Sequence, residues 1–169
     1  ASELDVDISI LDHDSGYIVY LADASGVTVY ENQEKKIDFS VSFDGSVRYY
    51  IYGDDASPDL DRIVERAEYN SNRDATLISE TFYTDSGQIN FVLSYSEDGQ
   101  KPTQRSDYVY LDSNPPSPDK VLQYNVSLLT LADARNSAPI EGRINIVPEN
   151  TLFYRMSLID AQLEIAQIV

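Results

Sequence analysis

The one histidine, His13, lies in Leu11-Asp12-His13-Asp14-Ser15-Gly16, so any Ser-His-Asp arrangement must be built on it. No Gly-x-Ser-x-Gly elbow offers it a nucleophile, and its neighbours read as a turn. The chain has no cysteine, which excludes disulfides and thiolate metal sites, and one imidazole is too few for a zinc centre. Phosphate-cradling Gly-x-Gly-x-x-Gly and Gly-Lys-Ser/Thr loops are missing. Carboxylates suited to glycoside hydrolysis are so abundant, at 29 acidic residues, that some pair always falls at a suitable separation, and availability is no evidence. We assign no catalytic residue and expect a protein that is not an enzyme and has no organic cofactor.

Calcium is the one metal these residues can hold, because hard cations need only carboxylate and carbonyl oxygens. The candidate ligands are Asp12 and Asp14 in one acidic turn and Asp54, Asp55, Asp59 and Asp61 in another, with Asp112 and Asp119 as a further pair. None of these fits the helix-loop-helix calcium pattern, and solvated acidic loops are the plain alternative. Thirteen tyrosines are present, and Tyr49, Tyr50 and Tyr52 share one expected strand. Such rings can stack on a sugar or on a protein partner, although aromatic residues also fill strands for ordinary reasons, and the absence of tryptophan weakens a sugar platform. Asn125-Val126-Ser127 is a glycosylation triplet set in an apolar strand, which makes it weak evidence for a glycan.

The elements that must carry these groups alternate with period two. Leu4, Val6, Ile8 and Ile10 alternate with Asp5, Asp7 and Ser9, the pattern of a half-buried strand. Similar segments follow at 17–21, 27–30, 37–43, 47–52, 76–83, 89–95 and 108–111, and then at 121–131, 143–147 and 152–158. Turn residues separate them, as in Asp44-Gly45, Thr84-Asp85-Ser86-Gly87 and Glu97-Asp98-Gly99. The last apolar segment, 161–169, fits a strand or a helical face, and its all-β surroundings favour the strand. One short helix is expected near 58–69, where Ser57-Pro58-Asp59 resembles an N-cap and Leu60, Ile63, Val64 and Ala67 recur at helical spacing. The reading is an all-β fold, a two-sheet β-sandwich or jelly roll of about ten strands. It forms a single domain, 1–169, with a weak boundary near 113–119, where Asn114-Pro115-Pro116-Ser117-Pro118 interrupts regular structure.

Lys plus Arg is 12 against 29 for Asp plus Glu, a net charge of −17 spread along the chain. A surface this acidic repels phosphates, so nucleic acid and anionic membranes are not expected partners. No apolar run approaches the roughly 20 residues of a membrane span. The chain opens on Ala1, which fits removal of a signal peptide or of an initiator Met. The expected function is that of a structural subunit of a virion shell or extracellular surface filament. Self-assembly would run through sheet edges or through an N-terminal strand carrying Leu4, Val6, Ile8 and Ile10. The alternative is a secreted binding module or adhesin that recognises protein or carbohydrate through a tyrosine-rich or acidic face. The expected location is extracellular, at a cell surface or in a virion.

Overall fold

The computed structural model describes residues 8–11, 18–23, 26–30, 36–53, 59–112, 116–156 and 163–169. Their regular structure is twelve β-strands and one helical turn, so the fold is all-β. The chain divides into two compact units, Ala1–Ile78 and Ser79–Val169. In the first, β1 (Ile8–Leu11), β2 (Ile18–Asp23), β3 (Gly26–Tyr30), β4 (Ile37–Ser42), β5 (Val47–Tyr52) and β6 (Leu60–Arg66) each pair antiparallel with the next. In the second the same is true of β7 (Leu77–Tyr83), β8 (Ile89–Tyr95), β9 (Pro102–Tyr110), β10 (Pro118–Asn125), β11 (Asn150–Met156) and β12 (Leu163–Ile168). Strand β7 starts just before the division.

This is a meander within each unit, and the crossing connections of a jelly roll do not occur among the described pairings. The proline-rich stretch near 113–119 falls inside the second unit, between β9 and β10. Local chemistry sets the hairpins. At β4–β5 the Gly45 N–H donates to the Ser42 carbonyl while the Asp44 carboxylate accepts from both the amide and the hydroxyl of Ser46. Gly45 has φ +90°, a conformation that a residue with a Cβ adopts only under strain.

The core of the first unit lies on one face of β4, β5 and β6, where Phe39, Tyr49 and Val64 stand in register beside the Val41–Val47 pair. The loop 67–76 folds over part of it. Tyr49 donates its hydroxyl to the Asn70 carbonyl at 3.2 Å, and the Arg73 guanidinium sits 4.8 Å above the Tyr49 ring while bonding Asp38 at 2.6 Å.

The helix expected near 58–69 is a correction, because residues 60–66 are the strand β6. The spacing of Leu60, Ile63 and Val64 suits either element, but Ile63 and Val64 are β-branched and favour strands. Pairing with β5 puts Val64 into the core opposite Tyr49, leaves Glu65 beside Arg48 at 3.4 Å, and exposes Ala67. Tertiary pairing outweighs the local signal here. Asp59 precedes the strand, and Ser57 and Pro58 lie outside the described residues.

A second correction concerns 121–131 and 143–147. β10 ends at Asn125, and no strand forms at 143–147. Residues 126–149 instead leave the ladder, make the helical turn α1 (Leu131–Ala134) and lie over one face of β7–β10. Thr130 caps the turn by accepting the Asp133 amide at 3.1 Å. The alternation of Ile144 and Ile146 is used for packing on Phe91, Leu93, Leu122 and Tyr124 rather than for a ladder. The last apolar segment is a strand, β12, as its surroundings suggest.

Candidate functional site

The acidic turns come first because they carried the metal expectation. Asp12, Asp14, Asp54 and Asp55 lie outside the described residues, while Asp59 and Asp61 are exposed at the start of β6. Among the described residues no three carboxylate or imidazole groups gather as metal ligands do. Leu4 and Val6 also lie outside the described residues. Ile8 and Ile10 are in β1, opposite Ala22 and Tyr20 of the same chain's β2. The tyrosines grouped on β5 are split between faces: Tyr49 is core, while Tyr50 stands opposite Ile63 on the other face and Tyr52 donates its hydroxyl to the Ile37 carbonyl at 3.0 Å. Asn125 is the exposed last residue of β10, and its carboxamide oxygen accepts the Ser127 hydroxyl at 2.6 Å. His13 lies outside the described residues.

Two charged constellations are buried under segment 126–149. Arg105, 0 % exposed, donates to the carbonyls of Ala134 at 2.8 Å, Asn136 at 2.6 Å and Ala138 at 2.9 Å. Its Nε bonds Asp107 at 2.6 Å, and its guanidinium lies 3.8 Å above the Phe91 ring. Asp107 in turn accepts the Ile140 amide at 2.7 Å. Burial pulls the Arg105 pKa below the usual arginine range, against the pull of Asp107.

Glu80, 2 % exposed, is the centre of the second. Arg135 grips it with Nε at 2.9 Å and Nη2 at 2.8 Å, and Tyr95 donates its hydroxyl at 2.5 Å. Every charged group here holds a protein partner, and the carboxylate beside the Tyr95 hydroxyl is itself gripped by Arg135. The chemistry is anchoring: Glu80, Tyr95, Arg105 and Asp107 from the sheet and Arg135 from the segment fix an irregular stretch of backbone whose carbonyls would otherwise be buried unpaired.

Burial, followed by the bond to Glu80, pushes the Tyr95 hydroxyl up to about 12 from 10.0. A group held protonated more firmly in the folded state contributes stability below the unfolded value, and that stability is lost as pH rises through the folded value. Unfolding free energy is therefore expected to fall between pH 10 and about 12, with a shallower fall in Tyr95→Phe. Urea melts at about pH 9 and about pH 11.5, on either side of the ordinary tyrosine value, check this, and equal slopes in the two proteins would contradict it.

The opposite face of the second unit, half-buried over most of its extent and with Val121 buried at 2 % exposure, differs in character. Strand register sets three rows across it: Ser79–Ser94–Gln104–Asn125, Thr81–Val92–Ser106–Gln123–Asn150 and Tyr108–Val121–Leu152–Ile168. None of these residues is charged, in a chain of which 24% is charged. The charges that border it are Asp119, in the bulge between Pro118 and Lys120, and Glu149, whose carboxylate accepts from the Asn125 carboxamide nitrogen at 3.3 Å. Tyr110 extends the tyrosine row opposite Pro118 and donates its hydroxyl to the Ile89 carbonyl at 2.9 Å. Burial first, and then Tyr154 and Tyr83 nearby, raise the Tyr108 pKa. Burial and Tyr108 do the same for Tyr110, whose neighbours also include Tyr83 and Tyr154.

By strand register, four tyrosines from β7, β9 and β11 fall towards one end of this face. Sequence reasoning looked to β5 for ring stacking and missed them, because only the register brings Tyr83 and Tyr154 to β9. Hollows of about 450 and 630 Å³ flank residues 145–147, lined by Tyr124 and Arg143 on one side and by Asn125 and Leu128 on the other. Ser127 and Glu149 also line the second, and there the Ser127 hydroxyl donates to the Asn125 carboxamide oxygen.

No protein-family model and no curated protein matches the chain. Among solved structures it is similar to a mutant of S. aureus TarM in complex with Fondaparinux, alpha-GlcNAc-glycerol and UDP. That likeness has 9% identity and a TM-score of 0.35, and covers 73% of this chain and 20% of that one. A TcdB2-TccC3-Cdc42 structure is similar over 95% of this chain and 10% of the other, at 9% identity and a TM-score of 0.27. A Bacteroides fragilis protein of unknown function is similar over 98% and 92%, at 11% identity and a TM-score of 0.21. The chain spans only about a fifth of the length of TarM. Scores this low fall short of a shared fold, so the site rests on the chain's own geometry.

Proposed function

We propose that the chain is a non-enzymatic structural subunit that joins copies of itself through an open sheet edge, as in a virion shell or an extracellular surface filament. The observation that carries this is β12. Among the described residues it pairs only with β11, and it exposes Ile165 (48 %) and Ile168 (63 %). Its one charge is Glu164, and it has neither the lysine nor the proline with which sheet proteins commonly blunt an edge. The pairing of β1 with its own β2 favours edge-to-edge contact over donation of the N-terminal strand. The sandwich-like second layer suggested by the strand rhythm belongs to the same proposal, as a property of assembled chains acting as one domain each. Calcium on the acidic loops is a further part of it, as a modulator of assembly between chains of net charge −17.

Light scattering tests this reading with and without calcium. The wild-type protein is expected to form oligomers, and the double variant Ile165→Lys/Ile168→Lys to remain monomeric because lysine guards the edge. Deletion of residues 1–11 is expected to leave the oligomers in place. A monomeric wild-type protein in both conditions would remove the reading. A second reading, a binding module or adhesin, is favoured by one observation, the uncharged tyrosine face of the second unit.

A further inference from the structure

We infer that the uncharged face of β7–β11 binds a neutral polysaccharide laid across the strands. The inference rests on the binding-module reading and extends it by naming the class of ligand. Three features converge on it.

The first is where the sheet keeps its charge. Glu80, Arg105 and Asp107 all point to the covered face, beneath segment 126–149, while the three rows of the opposite, half-buried face, where Val121 is buried, hold only hydroxyl, amide, aromatic and aliphatic side chains. A half-buried sheet face in so acidic a protein would ordinarily carry carboxylates or lysines in its rows. A face without them cannot hold an ionic ligand by charge pairing, and the net charge of −17 repels an anionic one. The complement of such a face is itself uncharged.

The second is the division of the face into two zones. Towards one end stand Tyr83, opposite Ile89, Tyr108, opposite Val121, Tyr110, opposite Pro118, and Tyr154, two residues along β11 from Leu152. Their rings offer flat contact with a polar tip, which suits the C–H faces of a pyranose. Towards the other end lie Ser106, Gln104 and Gln123, with Ser94 and Thr81, groups that both donate and accept and so match sugar hydroxyls. A face meant for another sheet would carry aliphatic side chains where these stand.

The third is shape. The rows cross four or more hydrogen-bonded strands at the ordinary spacing of about 4.8 Å, so the face is an extended platform rather than a pocket, and fits a chain better than a single sugar. Burial keeps the Tyr108 and Tyr110 hydroxyls protonated to a higher pH than an ordinary tyrosine. No negative charge therefore arises there to disturb the match.

Affinity electrophoresis of the full chain in native gels tests this, with barley β-glucan, dextran or galactomannan as neutral polymers and heparin as an anionic one. We expect retardation by at least one neutral polymer and none by heparin. Tyr108→Ala/Tyr154→Ala should weaken retardation about tenfold or more, and Tyr108→Phe/Tyr154→Phe should restore most of it, since the ring faces remain. Ser106→Glu places a charge in the middle row without removing packing and should abolish retardation, while thermal melting reports whether each variant folds. Retardation by heparin alone, if lost in the tyrosine variants, would overturn the neutral ligand and leave the binding-module reading standing. No retardation by any polymer would overturn the polysaccharide ligand and leave the binding-module reading only a protein partner, and retardation unchanged in folded Tyr108→Ala/Tyr154→Ala and Ser106→Glu proteins would overturn the assignment to this face.

Discussion

Arg105→Met is expected to destabilise the second unit by roughly 3–5 kcal/mol, the range for removing one partner of a buried ion pair. Methionine fills much of the arginine volume, so the loss comes from the groups left behind. The carbonyls of Ala134, Asn136 and Ala138 lose their donor, and Asp107 keeps only the Ile140 amide among the contacts described. The contact of the guanidinium with the Phe91 ring is lost as well. Segment 126–149 should then loosen before the strands do. Hydrogen exchange at Ile140, Arg143 and Ile144, whose amides are bonded in the folded state, should accelerate more than exchange in β8 and β9. A urea midpoint unchanged from wild type would mean that the anchor contributes nothing.

Gly26→Ala is expected to do comparable damage in the first unit, by a different route. Gly26 opens β3 with φ +145°, a conformation that residues with a Cβ avoid at a cost of about 1–3 kcal/mol. A Cβ there would also meet the Val41 carbonyl oxygen at a distance no pair of real atoms tolerates, and that oxygen belongs to the backbone of the neighbouring strand and cannot swing aside. Either β3 or β4 must shift. The Gly26–Ser42 and Val27–Val41 pairs are the ones at risk, and a loss of at least about 3 kcal/mol, the upper end of the backbone term alone, should be read by urea unfolding. Gly45→Ala is the control, because a Cβ at Gly45 meets nothing within 4 Å and only the backbone strain remains.

Period-two alternation made most strands legible, since a half-buried sheet imposes it directly on the chain. It failed where one apolar pattern serves two structures. Leu60, Ile63 and Val64 suit a helix as well as a strand, and only the presence of β5 decides between them. Ile144 and Ile146 alternate like a strand because a folded-back segment also points every second side chain at a core. The anchor was illegible for a related reason. In Gln104-Arg105-Ser106-Asp107 the rhythm shows that Arg105 and Asp107 share a face, and ordinary expectation turns charged residues to water. Here they turn inward, because the backbone that covers them supplies carbonyl and amide partners that lie distant in sequence. The tyrosine face follows from this inversion: with the charges inside, serine, glutamine and tyrosine are left outside.

The grip of Arg105 on segment 126–149 runs through main-chain oxygens at Ala134, Asn136 and Ala138, atoms that every amino acid possesses. Substitutions at the exposed Ser137 and Ala138 therefore leave that clasp intact, whereas Asn136 also holds the turn by accepting the Ala138 amide on its side chain at 2.9 Å. The stretch can acquire a new surface vocabulary while its path over the sheet stays constant, much as a fixed frame accepts interchangeable panels.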